Sequence, residues 1–163
     1  MIHRTPACLS AALAALFLAG CAKVNDTALR LVSTKVDAYA IVNGQVLTGE
    51  VILIPDRSGR VTFSPEKGGE LACLGGMRYT ATQSGAMELN CSDGSSTQLR
   101  YTLLTETRGY AYGTSAAGPV SLVFGLSPQD ARAYLTVPPG KRLVVREGDG
   151  VLELESPPAA NGS

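Results

Sequence analysis

Few side chains in this 163-residue chain could carry chemistry. Glu50, Glu70, Glu88 and Glu106 are candidate acids and bases, because two carboxyl groups about 5–10 Å apart can hydrolyse a glycosidic bond. They are scattered over separate segments, no motif joins them, and the sequence does not bring any two together. His3 is the only histidine, and the four cysteines are Cys8, Cys21, Cys73 and Cys91. Two glycine-rich places, Gly75-Gly76 and Arg108-Gly109-Tyr110-Ala111-Tyr112-Gly113, lack the Lys-Ser/Thr and the following helix of a phosphate loop. Asp93-Gly94 and Asp149-Gly150 each offer an acid in a loop. Calcium needs several oxygen ligands at fixed spacing, so both read as turns. In the second glycine run, Tyr110 and Tyr112 share one strand face and could stack against a glycan or peptide. Gly109, Ala111 and Gly113 share the other, which suits the tapering interior of a barrel, and the composition favours this packing role.

Arg4 precedes an apolar run, Ala7–Ala19, that ends in small residues before Cys21. A basic start, a short apolar core and small residues at a cleavage point are the parts of an export signal. The run falls short of the ~20 residues that span a bilayer. Leu18-Ala19-Gly20-Cys21 resembles the lipobox of bacterial lipoproteins. The resemblance implies cleavage before Cys21, a thioether-linked diacylglycerol on its sulfur, and an acyl chain on the new amino terminus. One chain anchors weakly, at roughly 0.8 kcal/mol per buried methylene, whereas two or three together hold durably. Ala22 in place of aspartate implies, by the sorting rule that accompanies the motif, delivery to the outer membrane. The other reading is an ordinary secretory peptide cut near Ala19 or Ala22. The segment Cys73–Asp93 is similar to a pattern in small uncharacterised proteobacterial lipoproteins. That likeness is confined to the segment and implies no activity.

Processing at Cys21 changes the chemistry that remains. It removes Arg4, leaving 13 of the 14 basic side chains against 14 acidic ones. A near-neutral chain has no basic stripe for a phosphate backbone, so no nucleic-acid partner is expected. It also removes His3, and with it the usual general base and the commonest metal ligand. Serine–histidine or cysteine–histidine catalysis and histidine-ligated zinc are thereby excluded, and no metal or other cofactor is expected beyond the lipid on Cys21. Cys8 leaves with the signal, so Cys73 and Cys91 are the two cysteines left after Cys21. In an oxidising compartment they are expected to form a disulfide worth roughly 3 kcal/mol. Redox-active pairs usually sit two residues apart at a helix start, which these do not.

The elements that must hold these residues read as a series of short strands. Residues 1–20 are the signal peptide, 21–37 a lipidated tether, 38–155 one β-rich domain and 156–163 a proline-broken, disordered tail. Asn43-Gly44 between two apolar runs is the strongest hairpin signal. Further strands are expected over Gln45–Thr48, Val51–Ile54, Arg60–Phe63, Glu70–Leu74, Met77–Thr82, Ala86–Cys91, Thr97–Thr105, Gly109–Thr114, Val120–Phe124, Lys141–Glu147 and Val151–Glu155. A three-residue turn at Gln83–Gly85 would leave Cys73 four residues out of register with Cys91, unless Gly75-Gly76 forms a bulge or corner. Ser127 as N-cap, Pro128 at the first position and Asp130 in the first turn predict one short helix near 128–135. The fold expected is mainly β, an antiparallel meander forming a small barrel or sandwich.

The function expected from these residues is a non-catalytic envelope lipoprotein, held on the membrane through Cys21 and acting through a protein partner or an envelope complex. A small-ligand or glycan-binding module using Tyr110 and Tyr112 is the alternative. A hydrolase using paired carboxylates comes third.

Overall fold

A computed structural model describes residues 32–65 and 69–157. The signal peptide, the lipobox with Cys21, most of the tether and the end of the tail lie outside the described residues. Eight strands form the body: β1 (Thr34–Val42), β2 (Gln45–Ile54), β3 (Ser58–Pro65), β4 (Cys73–Tyr79), β5 (Ser84–Cys91), β6 (Ser96–Thr105), β7 (Arg108–Ser115) and β8 (Gly118–Phe124). Each pairs antiparallel with its neighbours in the chain, and β1 also pairs with β8, so the meander closes into a barrel. One helical turn, α1 (Pro128–Ala131), and a separate two-stranded sheet, β9 (Arg142–Val145) with β10 (Leu152–Glu155), follow.

Side chains alternate between the two faces of a strand, and here the inward set is apolar apart from Thr97 and the Tyr101 hydroxyl. Phe63, Met77, Met87, Leu89, Leu99, Tyr101, Leu122 and Phe124 fill the barrel and are at most 1 % exposed. Glycines face inward beside the large residues and leave room for them. A Cβ on Gly85 would stand 2.4 Å from the Tyr101 Oη, and one on Gly109 would stand 2.6 Å from the Phe124 Cζ. Gly109, Ala111 and Gly113 thus take the packing role their composition favours. The outward set carries the charges, including Lys35, Asp37, Glu50, Arg60, Arg78, Glu88 and Arg100. A barrel wall that faces lipid has the opposite polarity, because each midplane Lys or Arg costs about 2–4 kcal/mol.

Several strands run longer than the sequence suggests. β2 passes without a break through Gly49-Glu50, and β4 through Gly75-Gly76. Both inward glycines lie where a Cβ would meet a cross-strand carbonyl, at 1.9 Å for Gly49 and 2.1 Å for Gly75. They serve close strand approach rather than chain breaks. β1 begins at Thr34, so residues 34–37, expected in the tether, pair with Glu50–Leu53.

The ladder closing the barrel has four register pairs, Ala38–Ile41 against Ser121–Phe124. The C-terminal segment covers it from outside. Ile41 and Val123, which point outward, are buried with Ala131, Leu135, Leu143 and Leu152 in a second apolar cluster. The buried Ser121 hydroxyl accepts a hydrogen bond from the Thr136 amide at 2.9 Å. α1 has the expected Ser127 cap, whose hydroxyl accepts from the Asp130 amide. It is shorter than the 128–135 expected: after Ala131 the chain tightens through Ala133–Asp130 and Tyr134–Ala131 amide–carbonyl bonds, and Pro138-Pro139 bars any continuation.

The turns close the two ends. Asn43 (φ 51°) and Gly44 (φ 73°) form the two-residue hairpin that Asn-Gly predicts. The Asn43 amide donates to Asp93 Oδ2 at 2.7 Å and accepts from the Ser115 hydroxyl at 3.1 Å, joining three turns at one end. The Asp93 carboxylate also accepts from the Ser95 amide and hydroxyl. These bonds, the Ser95 hydroxyl foremost, hold its pKa below the ordinary 3.8. At the other end Arg57 occupies the left-handed region (φ 66°). Its guanidinium lies over the Tyr79 ring and donates to the Ala81 carbonyl.

Cys73 and Cys91 form the expected disulfide, with Cα atoms 4.0 Å apart. They are directly opposite, not four residues out of register, because β5 turns earlier than expected: Tyr79 pairs with Gly85 and Arg78 with Ala86. The Cys91 amide bonds to the Ser95 carbonyl instead of to β4. Cys73–Cys91 is therefore a non-hydrogen-bonded pair, the kind whose Cα atoms come closest.

Replacing both cysteines by alanine is expected to lower unfolding stability by about 3 kcal/mol in urea titration and to leave the β-sheet circular dichroism in place. Asp93→Ala is expected to lower the melting temperature by a constant amount above pH 4. Because the folded carboxyl is held below 3.8, the stabilisation is complete above that value and fades as pH falls through the folded pKa. The gap between variant and parent should therefore close in acid, and a melting series from pH 2 to 7 checks this.

Candidate functional site on the barrel wall

The closed register sorts the candidate residues. Cys21 lies outside the described residues. Of the four glutamates, Glu50 is on β2, Glu88 on β5, Glu70 before β4 and Glu106 in the β6–β7 turn, and no ladder pairs any two of them. The register instead sets Glu50 opposite Asp37, a carboxylate pair not expected with residue 37 in the tether. Both point outward, and Lys35 forms an ion pair with Glu50. The Asp149 carboxylate is engaged by Arg146, whose bonds to it are the main cause of its lowered pKa. Among the described residues no group of three or more His, Cys, Asp or Glu side chains is placed to hold a metal ion.

Tyr110 and Tyr112 both point outward from β7, as their spacing requires. Tyr110 is half-buried and stacks on Tyr134, with centroids 5.0 Å apart and planes at 23°. Tyr112 lies 5.4 Å from Tyr110 and is 42 % exposed. The three rings form one row that runs from the C-terminal segment onto the open wall. Tyr134 was not anticipated, because nothing in the sequence links the turn after α1 to β7. Burial, with Tyr110 and Tyr134 adding to it, pushes the Tyr112 hydroxyl pKa up.

The wall beyond Tyr112 is where register assembles a feature from four strands, β3 to β6. Tyr112 pairs with Arg100 on β6, Arg100 with Ala86 on β5, and Ala86 with Arg78 on β4. Two residues before Arg78 is Gly76, flanked by Arg60 on β3 and Glu88 on β5. Gly76 and Ala86 floor a depression whose rim includes Arg60, Arg78, Glu88 and Gln98. The guanidinium groups of Arg60, Arg78 and Arg100 form no ion pair or hydrogen bond with any described residue. Glu88 is the one acid on the outward positions of β3–β6 and accepts a long bond from the Asn90 amide, 3.4 Å.

Gly76 is unlike the inward glycines. A Cβ there would meet nothing closer than the Gly59 carbonyl oxygen at 3.9 Å, an ordinary contact, and its φ is not positive. Glycine inside a strand costs about 0.5–1 kcal/mol relative to alanine. The fold does not require that cost at Gly76, and an exposed strand glycine is where another molecule can approach the backbone closely.

The interior holds the hydroxyls of Thr97 and Tyr101 among apolar side chains. Tyr101 is 1 % exposed, packs edge-on against Tyr79 at 5.5 Å, and its hydroxyl has no hydrogen-bond partner. Burial holds that phenol protonated far above the ordinary tyrosine value; Tyr79 adds to the effect and Arg57 opposes it. A buried donor without a partner costs about 1–3 kcal/mol. Tyr101→Phe keeps the ring and removes the orphan, so it is expected to raise stability by about 1 kcal/mol in urea unfolding with the fold unchanged.

No family model and no curated protein matches the chain. Among solved structures, a redesigned β-barrel matches with a TM-score of 0.44 and 12 % identity, covering 60 % of this chain and 93 % of that one.

Proposed function

We propose that the protein is a lipid-anchored component of a bacterial cell envelope that catalyses no reaction and acts by contact between its outer wall and another envelope component. The anchor is Cys21, acylated after cleavage of the signal peptide at the lipobox-like Leu18-Ala19-Gly20-Cys21, with the outer membrane as destination. The observation that carries the reading is the division of labour in the barrel. Its bore is filled with apolar side chains, so a ligand has no room inside. Its exposed wall is charged and suited to water, so the barrel itself does not insert in lipid, and attachment falls to the modified cysteine. Among the described residues, the carboxylates that register sets opposite each other are Asp37 and Glu50, which lie on the outer wall with Glu50 ion-paired to Lys35.

The reading is tested in cells. Metabolic labelling with a palmitate analogue is expected to mark the protein, and Cys21→Ser is expected to abolish the label and release the protein from membranes. An unlabelled, membrane-free wild-type protein would overturn the anchor. Crosslinking in intact envelopes is expected to capture a specific neighbour through residues of the wall, and a neighbour captured equally well by an unrelated anchored domain would count against surface contact.

A further inference from the structure

We infer that the outer wall of β3–β7 binds an acidic glycan, a polysaccharide chain bearing carboxylate or phosphate groups. The inference rests on the reading that the barrel acts by surface contact, and it names what is contacted. Three guanidinium groups without partners face solvent on one side of the barrel. Strands lie about 4.8 Å apart, so Arg78 and Arg100, two strands apart across Ala86, stand about 10 Å from each other. Arg60 is diagonal to Arg78, about 7–8 Å away. Cations repeated at such intervals along a shallow surface complement a polymer whose charges also repeat. Arginine gives each anion a planar, two-pronged donor set.

Two features favour a glycan over an acidic polypeptide. Tyr112 continues the cationic row, paired directly with Arg100, and offers an exposed ring held in place by Tyr110 and Tyr134. An aromatic face beside hydrogen-bonding cations suits a sugar ring, which is apolar on its face and polar on its rim. An extended peptide most readily adds to a free strand edge, and the closed sheet has none. The open floor at Gly76 lets a chain lie close to β4 between Arg60 and Glu88, whose carboxylate is placed to accept from sugar hydroxyls.

The test uses the full-length protein with polygalacturonate as the acidic glycan, dextran as the neutral one and poly-glutamate as the acidic polypeptide, with affinities read by calorimetry. Polygalacturonate is expected to bind with an affinity that falls as salt rises, and dextran is not. Arg60→Gln, Arg78→Gln and Arg100→Gln should each weaken binding about tenfold, and Tyr112→Ala by a similar factor. Arg142→Gln, whose residue pairs with Glu155 away from this wall, should leave it unchanged. Gly76→Thr is the sharpest variant. It fills the floor with a residue that strands favour, so the melting temperature should hold or rise while binding is lost. The proposal is overturned if the arginine or Gly76 variants bind as the parent does. It is equally overturned if poly-glutamate binds as tightly and Tyr112→Ala has no effect, which would make the partner an acidic polypeptide. If no polyanion binds but crosslinking still captures a wall neighbour, the glycan is overturned and the surface-contact reading stands.

Discussion

Closing eight strands on themselves leaves a bore just wide enough for side chains to fill, and that limit governs most of what this chain does. The interior admits one layer of large residues only if small ones face them, hence Gly85 beneath Tyr101 and Gly109 beneath Phe124. Once the bore is filled, the described residues able to contact another molecule are those on the wall, at the turns or on the C-terminal segment. Function is pushed outward by packing.

The wall in turn is divided. Over β1 and β8 it is apolar and covered by the chain's own C-terminal segment, which buries Ile41 and Val123 and takes up the Ser121 hydroxyl. Over β3–β6 it is polar and open, with three arginines against one glutamate. The row Tyr134, Tyr110, Tyr112 crosses from the covered part to the open one. The same tyrosines therefore fix the C-terminal segment and shape the border of the free surface.

Much of this was legible in the sequence where a local rule acts alone. Asn43-Gly44 marks its hairpin because two consecutive positive φ values admit few other residues. The alternation in Gly109–Gly113 sorts inside from outside because it depends only on strand period. Legibility failed where the deciding contact lies on another strand. Gly49 and Gly75 look like breaks until the carbonyls of Thr62 and Glu88 are seen opposite them. The disulfide register differs from the expected one because the turn after Tyr79 comes earlier than glycine placement suggests. The arginine row is not legible there at all, since Arg60, Arg78 and Arg100 meet only after three hairpins have set their registers.

The four-pair seam between β1 and β8 has a consequence in time. Seven ladders join strands that follow each other in the chain and need only short loops to form. The seam joins Ala38–Ile41 to Ser121–Phe124 and must close nearly the whole barrel at once, so it has the largest single loop-closure entropy and the longest-range contacts of the eight ladders. Until β8 is made, β1 and the last strand formed are unpaired edges, open to association with other chains. The segment that seals the seam is encoded directly after the strand that completes it.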